Sequence, residues 1–296
     1  MFRSLVPVDF EEGTTGACHY ALRLAAATPQ AEVLLLHCFR DYLAGPWHDP
    51  VDKSGHPATG SEDVTNRVLQ RNETEERGKL EALRQELRSN ADGSRVPLNT
   101  AFVNGLPEDV IPVEAQRFQA DLIVMGTAGE DSLSRSLFGT VTTKMAEEAK
   151  VPVLSVPQQA RAQHLARVLY ATDFDDADAQ AIADLQQLLA PFNPHILCLH
   201  ITYGAATAQD QEKLHQLQAA VQDIRPAAES IRYTLLEVHS DVADALESFV
   251  EKERVDLLAV TNRKRTFLDS ILHPSLTKQL VLEAEVPLLI FHSHFK

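Results

Sequence analysis

The chain has 296 residues, 44% of them hydrophobic and 23% charged, with 27 Lys and Arg against 42 Asp and Glu for a net charge of −15. That length suits two domains of ordinary size, the composition is that of a globular chain rather than a disordered one, and the acidity argues against nucleic acid or an anionic membrane as partner. The excess carboxylates are spread evenly, eight net negative charges up to residue 157 and seven after it, so they do not form a tail.

In chain order, strands are expected near 2–9, 32–39, 98–103, 121–126 and 152–156. Helices are expected over 14–27, 62–90, 107–118 and 138–149. The helix at 62–90 places Val64, Val68, Leu69, Leu80, Leu83 and Leu87 at helical spacing, and its charge run from Arg71 to Lys79 reads as a solvated face. Between residues 41 and 60 the chain holds Pro46, Pro50, Pro57, Gly45, Gly55 and Gly60, and reads as a surface loop. Residues 158–166 are polar and aperiodic, a linker between a domain at 1–157 and a second at 167–296. Further strands are expected near 167–172, 195–201, 231–238, 255–260 and 287–291, with helices over 176–190, 207–223, 241–252 and 274–284. Short apolar runs alternating with amphipathic stretches predict an α/β fold, an open five-stranded parallel sheet flanked by helices, formed twice in tandem.

The two copies are visible as an internal repeat. Leu5-Val6-Pro7-Val8-Asp9-Phe10 is echoed by Leu169-Tyr170-Ala171-Thr172-Asp173-Phe174 at an offset of 164 residues. Asp121-Leu122-Ile123-Val124-Met125 matches Asp256-Leu257-Leu258-Ala259-Val260 at an offset of 135, so the first copy carries roughly thirty extra residues between its second and third strands.

No apolar run approaches the roughly 18 residues of a membrane span, and Asp9 follows Met1 too closely for a signal peptide. A cytoplasmic protein is expected. Cys18, Cys38 and Cys198 lie in periodic or apolar segments without C-x-x-C spacing and read as reduced, mostly buried small side chains. The terminal His292-Ser293-His294 reads as a frayed end.

The segment that points to chemistry follows the strand ending at Met125: Gly126-Thr127-Ala128-Gly129, nine further residues, then Gly139-Thr140-Val141-Thr142. Glycine lets a phosphate approach backbone N–H groups. Gly139-Thr140 opens a helix, whose unpaired amides and positive dipole end favour an anion. Thr140 and Thr142 add hydroxyl donors. At the offset of 135 the second copy has Thr261, Lys264, Pro274 and Ser275 in place of Gly126, Gly129, Gly139 and Thr140, so it is not expected to bind phosphate in the same way.

These residues resemble the universal stress protein family, specifically its tandem-domain members. The family's ATP-binding members carry G-x2-G-x9-G-[S/T] after the fourth strand, met here by Gly126, Gly129, Gly139 and Thr140, and a Pro-x-Asp at the end of the first strand, met by Pro7-Val8-Asp9. The resemblance implies two Rossmann-like domains of the HUP type and an adenine nucleotide, ATP with or without Mg²⁺, in the first. It implies that Pro7, Val8 and Asp9 border the adenine and ribose, that Cys38 offers main-chain groups to the adenine edge, and that Met125 packs near the nucleoside. Gly126, Gly129, Gly139, Thr140 and Val141 then hold the phosphates. Ala128, Glu130 and Asp131 depart from the residues common in the family, and Arg135 and Lys144 are the cations near enough in sequence to offset the added carboxylates. The residues alone leave Asp9 a second role, as a cap on the turn that follows it. The resemblance also implies that the last strands, 151–156 and 286–291, pair antiparallel across a pseudo-twofold, giving an intramolecular pseudo-dimer that can associate further into a homodimer.

No phosphate loop of the G-x-x-x-x-G-K-[S/T] type and no nucleophile–base pair at a diagnostic spacing is present, so no catalytic residue and no metal ligand is assigned. The expected function is a nucleotide-responsive stress protein with a protein partner. A slow Mg²⁺-dependent ATPase using Asp9 or Glu130, and a scaffold with a vestigial site, are the alternatives. Main-chain phosphate donors do not separate ATP from AMP or a cyclic nucleotide.

Overall fold

The computed structural model describes residues 1–39, 59–127, 140–158, 160, 165–226, 231–239, 241–262 and 286–293. The first half runs β1 (Phe2–Val8), α1 (Glu12–Ala27), β2 (Ala31–Phe39), α2 (Thr59–Ser89), β3 (Leu98–Asn104), α3 (Pro107–Phe118), β4 (Leu122–Gly126), α4 (Thr140–Glu148) and β5 (Val153–Val156). The second runs β6 (Arg167–Ala171), α5 (Asp178–Leu189), a 3₁₀ turn at Ala190–Phe192, β7 (His195–Tyr203), α6 (Ala208–Ile224), β8 (Ile231–Val238), α7 (Val242–Glu253), β9 (Leu257–Asn262) and β10 (Leu288–His292). All ten strands form one sheet in the order β3-β2-β1-β4-β5-β10-β9-β6-β7-β8. Pairing is parallel except at the centre, where β5 and β10 run antiparallel with Val153, Leu154 and Ser155 opposite Ile290, Leu289 and Leu288. Each of these short apolar strands covers the edge of the other, which otherwise would be an exposed template for aggregation.

The inner strands are apolar on both faces because both are covered. On one face Val6, Val33, Leu35, Leu122 and Val124 meet α1 and residues Leu80 and Leu87 of α2, and this core continues through Val168, Tyr170, Cys198 and Ala259 under α5 and α6. On the other face Leu5, Leu34, Leu36, Ile123 and Met125 pack under α3 and α4, and Leu169, Leu199, Leu258 and Ile290 under α7. Helices after β1 and β6 therefore lie on one face and those after β3 and β8 on the other. That reversal places a switch point between β1 and β4 and another between β6 and β9, where such sheets bind ligands at the strands' carboxyl ends.

Val64 of the stripe expected on α2 lies outside the described side chains, and of the rest only the lower part is buried. Leu80 and Leu87 are buried and Leu83 packs partly against them, whereas Val68 is 42% exposed. At 1.5 Å per residue the 31-residue helix is about 46 Å long, against about 30 Å for the nine residues of β2, so roughly its first third extends past the strand. The charge run is solvated, with Arg71–Glu75, Arg77–Glu73 and Lys79–Glu76 ion pairs along the exposed helix. The loop expected at 41–60 and the helix expected at 274–284 lie largely or wholly outside the described residues. His292 departs from the expected frayed end. It is the last residue of β10 and 8% exposed, because the strand is held between β5 and β9.

Candidate nucleotide site

The turn after β1 is built twice. Phe10 and Phe174, its repeat equivalent, both adopt the left-handed conformation, with φ of 64° and 59°. That costs a bulky residue about 1–2 kcal/mol, and local bonds offset it. In the first half Asp9 Oδ1 accepts the Glu11 amide at 3.0 Å and the Thr14 hydroxyl. In the second the Thr172 hydroxyl accepts the Phe174 amide at 3.0 Å. A histidine closes each turn from the neighbouring strand. His37 Nδ1 donates to the Val8 carbonyl at 2.7 Å and His200 Nδ1 to the Thr172 carbonyl at 2.9 Å. Their rings lie 4.6 and 4.1 Å from Phe10 and Phe174. Asp9 therefore serves the turn while its side chain stays exposed.

The halves differ at the switch point. Between β1 and β4 registered pairing comprises Ser4–Leu122 and Leu5–Ile123. Between β6 and β9 it continues to Tyr170–Ala259 and Ala171–Val260. Pro7 explains the difference. The Arg3 carbonyl accepts from Asp121 of the β4 side, and backbone groups alternate in direction along a strand, so Leu5 and Pro7 also face β4. Pro7 has no N–H to give it. Ala171, at the equivalent position, has one. The ladder between β1 and β4 thus ends two residues earlier than the one between β6 and β9, at the switch point whose crevice such sheets use for ligands.

One wall of the crevice is apolar. Cys38, Met125 and Val141 belong to the same cluster on the α3 and α4 face, and Pro7 shares that face with Leu5 by strand alternation. Burial, with Glu114 and Glu108 adding to it, pushes the Cys38 thiol up to about 12, so it stays neutral. Val8 is turned the other way: its side chain is 4% exposed in the opposite core and its carbonyl is occupied by His37.

The floor is a backbone-to-backbone seam. A Cβ on Gly126 would stand 2.5 Å from the carbonyl oxygen and 2.6 Å from the carbonyl carbon of Gly13, and a Cβ on Gly13 would stand 2.5 Å from the Thr127 oxygen. Gly126 is therefore required by the packing of α1 against β4, whatever it does for a ligand, and its partner Gly13 was missed in the sequence reading. Its signal was there, a glycine in the first turn of α1 where better helix formers are available. At the second half's seam stand Ala177 and Thr261. There Tyr170, fully buried, donates its hydroxyl to Asp178 Oδ1 at 2.8 Å and also meets the Thr261 hydroxyl. Asp178 Oδ2 accepts from Thr172 at 2.6 Å and from the Asp175 amide at 3.0 Å. Side chains fill the corner that bare backbone forms in the first half.

Thr140 begins α4 and is exposed, Val141 is half-buried, and Thr142 is 4% exposed, so of the two hydroxyls Thr140 is the one open to a ligand. Gly129 and Gly139, with Ala128, Glu130, Asp131 and Arg135, lie outside the described residues, as do Lys264, Pro274 and Ser275. Among the described residues no group of three or more His, Cys, Asp or Glu is placed to hold a metal ion. None of their helices is long and apolar enough to cross a membrane. Cys18, Cys38 and Cys198 are all free, and burial raises the thiol of Cys18 to about 12.

Two halves with strand orders 3-2-1-4-5 and 8-7-6-9-10 define a tandem Rossmann-like α/β protein with a candidate ligand crevice at the first switch point. The sequence profile of the Universal stress protein family matches residues 1–157 and again 164–292, and the chain belongs to that family, with its domain present twice. Over 155 residues, 51% of this chain and 79% of the relative, it is 31% identical to a universal stress protein of Methanocaldococcus jannaschii. The structure of a universal stress protein from Archaeoglobus fulgidus is similar over 98% of both chains, with a TM-score of 0.66 and 15% identity. A functionally unknown protein from Pseudomonas aeruginosa is similar over 98% of this chain and 92% of its own, with a TM-score of 0.55 and 16% identity. These two structural likenesses bear on the fold.

Proposed function

We propose that the first half binds one adenine nucleotide, ATP foremost, and that the chain acts in the stress response as a nucleotide-responsive regulator or adaptor of a protein partner. The observation that carries this reading is the first switch point, where the β1–β4 ladder ends at Leu5–Ile123 beside Pro7 while its counterpart in the second half runs on to Ala171–Val260. The adenine lies against Pro7, Met125 and the backbone beside Cys38, which share one face at the carboxyl ends of three strands, and against Val141 of α4 on that face. Asp9 stands at the ribose side with an exposed carboxylate, one oxygen of which is already committed to the turn. The first amides of α4, at Thr140 and Val141, have no acceptor inside the helix and meet the phosphates, with Gly129 and Gly139 completing the set from outside the described residues. A bound Mg²⁺ would screen the phosphate charge from Asp9 and the neighbouring carboxylates. The second half, with its crevice paired and its seam filled by Thr261, binds no nucleotide in this manner.

The test is to denature the purified protein in acid and to identify and quantify released nucleotides by chromatography with mass detection, and in parallel to titrate the stripped protein with ATP. Saturable binding that is weakened by Pro7→Ala supports the reading. No binding at millimolar ATP overturns it.

A further inference from the structure

α4 touches the two halves with its two ends. Its last four carbonyls have no donor inside the helix. The Met145 carbonyl accepts from Ala149 at 3.0 Å within the first half. The next, Ala146, receives two side-chain donors from the second half, Asn262 Nδ2 at 2.8 Å and His292 Nε2 at 3.0 Å. Both donors are more than nine-tenths buried, at 5% and 8% exposure. The neighbouring side chains divide in the same way. Met145 is fully buried in the first half's core with Leu5 and Ile123, whereas Ala146 is fully buried among Leu169, Leu258, Leu288 and Ile290 of the second.

We infer that Asn262 and His292 are positioning residues for the first half's nucleotide site, forming a C-cap supplied by the second half that fixes α4 along its axis. The inference rests on the nucleotide reading above. A nine-residue helix is about 13 Å long and stiff, so holding its last turn sets where the amides of Thr140 and Val141 stand. Displacements of an ångström at phosphate-binding donors are costly. The cap also links the copies. Asn262 ends β9 at the repeat position of Thr127, at the mouth of the second half's own switch point, and its Oδ1 is buried with no hydrogen-bond partner among the described residues. A contact that draws Asn262 away from Ala146 loosens α4, and by reciprocity a nucleotide on α4 strengthens the cap.

The experiment compares the full chain with Asn262→Ala, His292→Phe, their combination, and His292→Gln, which keeps an N–H donor near the place of Nε2. Hydrogen exchange of the amides of residues 140–149 is read without nucleotide, and ATP affinity by titration. The cap predicts faster α4 exchange in the donor-less variants and an ATP affinity about three- to thirty-fold weaker, with His292→Gln near the parent in both. Faster α4 exchange with unchanged affinity overturns the positioning role. Unchanged exchange overturns the cap itself. If the double variant does not fold, the His292→Phe and His292→Gln pair decides the matter alone. A parent protein that binds no ATP while its α4 exchange still responds to the substitutions refutes the nucleotide reading, and with it the positioning role, but leaves the cap established as a structural contact.

Discussion

Gly126→Ala separates two reasons for a glycine that the sequence motif does not distinguish. If Gly126 serves only a phosphate, the substitution weakens nucleotide binding and leaves the nucleotide-free protein intact. The seam predicts otherwise. Gly126 does not have a positive φ, so alanine fits the backbone conformation itself. The added Cβ, however, meets the Gly13 oxygen at 2.5 Å, its carbonyl carbon at 2.6 Å and its Cα at 3.2 Å, all backbone atoms of a helix packed on β4. No rotamer change relieves the contact, so α1 must move. Overpacking of this kind costs about 1–3 kcal/mol. A loss of about 2 kcal/mol would lower the melting temperature of a domain this size by about 4–8 °C. The assay is urea unfolding without nucleotide, followed by circular dichroism and near-ultraviolet fluorescence. Gly78→Ala is the control: nothing lies within 4 Å of a Cβ there on the solvated part of α2, and helix propensity predicts a gain of up to about 1 kcal/mol. Gly13→Ala with Gly126→Ala should cost less than the sum of the singles, since both open one seam. A Gly126→Ala protein within about 0.5 kcal/mol of the parent would refute the seam.

Pro7→Ala should lower ATP affinity while barely changing stability, because the ladder bond gained toward β4 is offset by the flexibility returned to the unfolded chain; exchange protection of the amide introduced at position 7 would report the extended pairing, and an unprotected amide would contradict it. In the second half, Asp178→Ala leaves the Tyr170 and Thr172 hydroxyls and the Asp175 amide without their acceptor in a buried corner and should cost about 3 kcal/mol, against about 1 kcal/mol for Tyr170→Phe, both read by urea unfolding. Asp210 closes the N-terminal cap of α6 with Thr207, whose backbone N–H and hydroxyl hold its carboxyl below the ordinary carboxylate range. Its contribution is present above the unfolded-state value and is lost as pH falls through the lower folded-state one, so the difference in urea midpoint between the parent and Asp210→Ala should shrink from pH 6 to pH 2.5. A difference that does not vary with pH would remove the ion from the cap.

Much of the architecture was legible because its determinants are local or periodic. The offset of 135 residues that aligns Asp121 with Asp256 also aligns their structural work: each carboxylate accepts the amide of the arginine opening the neighbouring first strand, Arg3 or Arg167. The apolar runs 151–156 and 286–291 meet as β5 and β10, as the family resemblance implied. What escaped the sequence depends on contacts between distant segments. Gly13 carries no motif and gains its meaning only from Gly126, over a hundred residues away. His292 looked like part of a terminal tail until its place between two strands put Nε2 on a carbonyl of the other half. Pro7 belongs to the family-like motif, but its effect on the β1–β4 ladder rests on which strand its missing N–H faces. The resemblance sets Val8 beside the adenine and ribose with Pro7 and Asp9, and strand alternation turns its side chain to the opposite core.

The most direct test of the central claim is the stoichiometry of ATP binding to the full chain, measured by equilibrium dialysis with labelled nucleotide. Saturation at about one ATP per chain, weakened in Pro7→Ala and retained in Thr261→Val, is the predicted result. Saturation at two would show that the paired strands and filled seam of the second half do not close it to nucleotide, and no saturable binding would contradict the assignment of the crevice at Pro7.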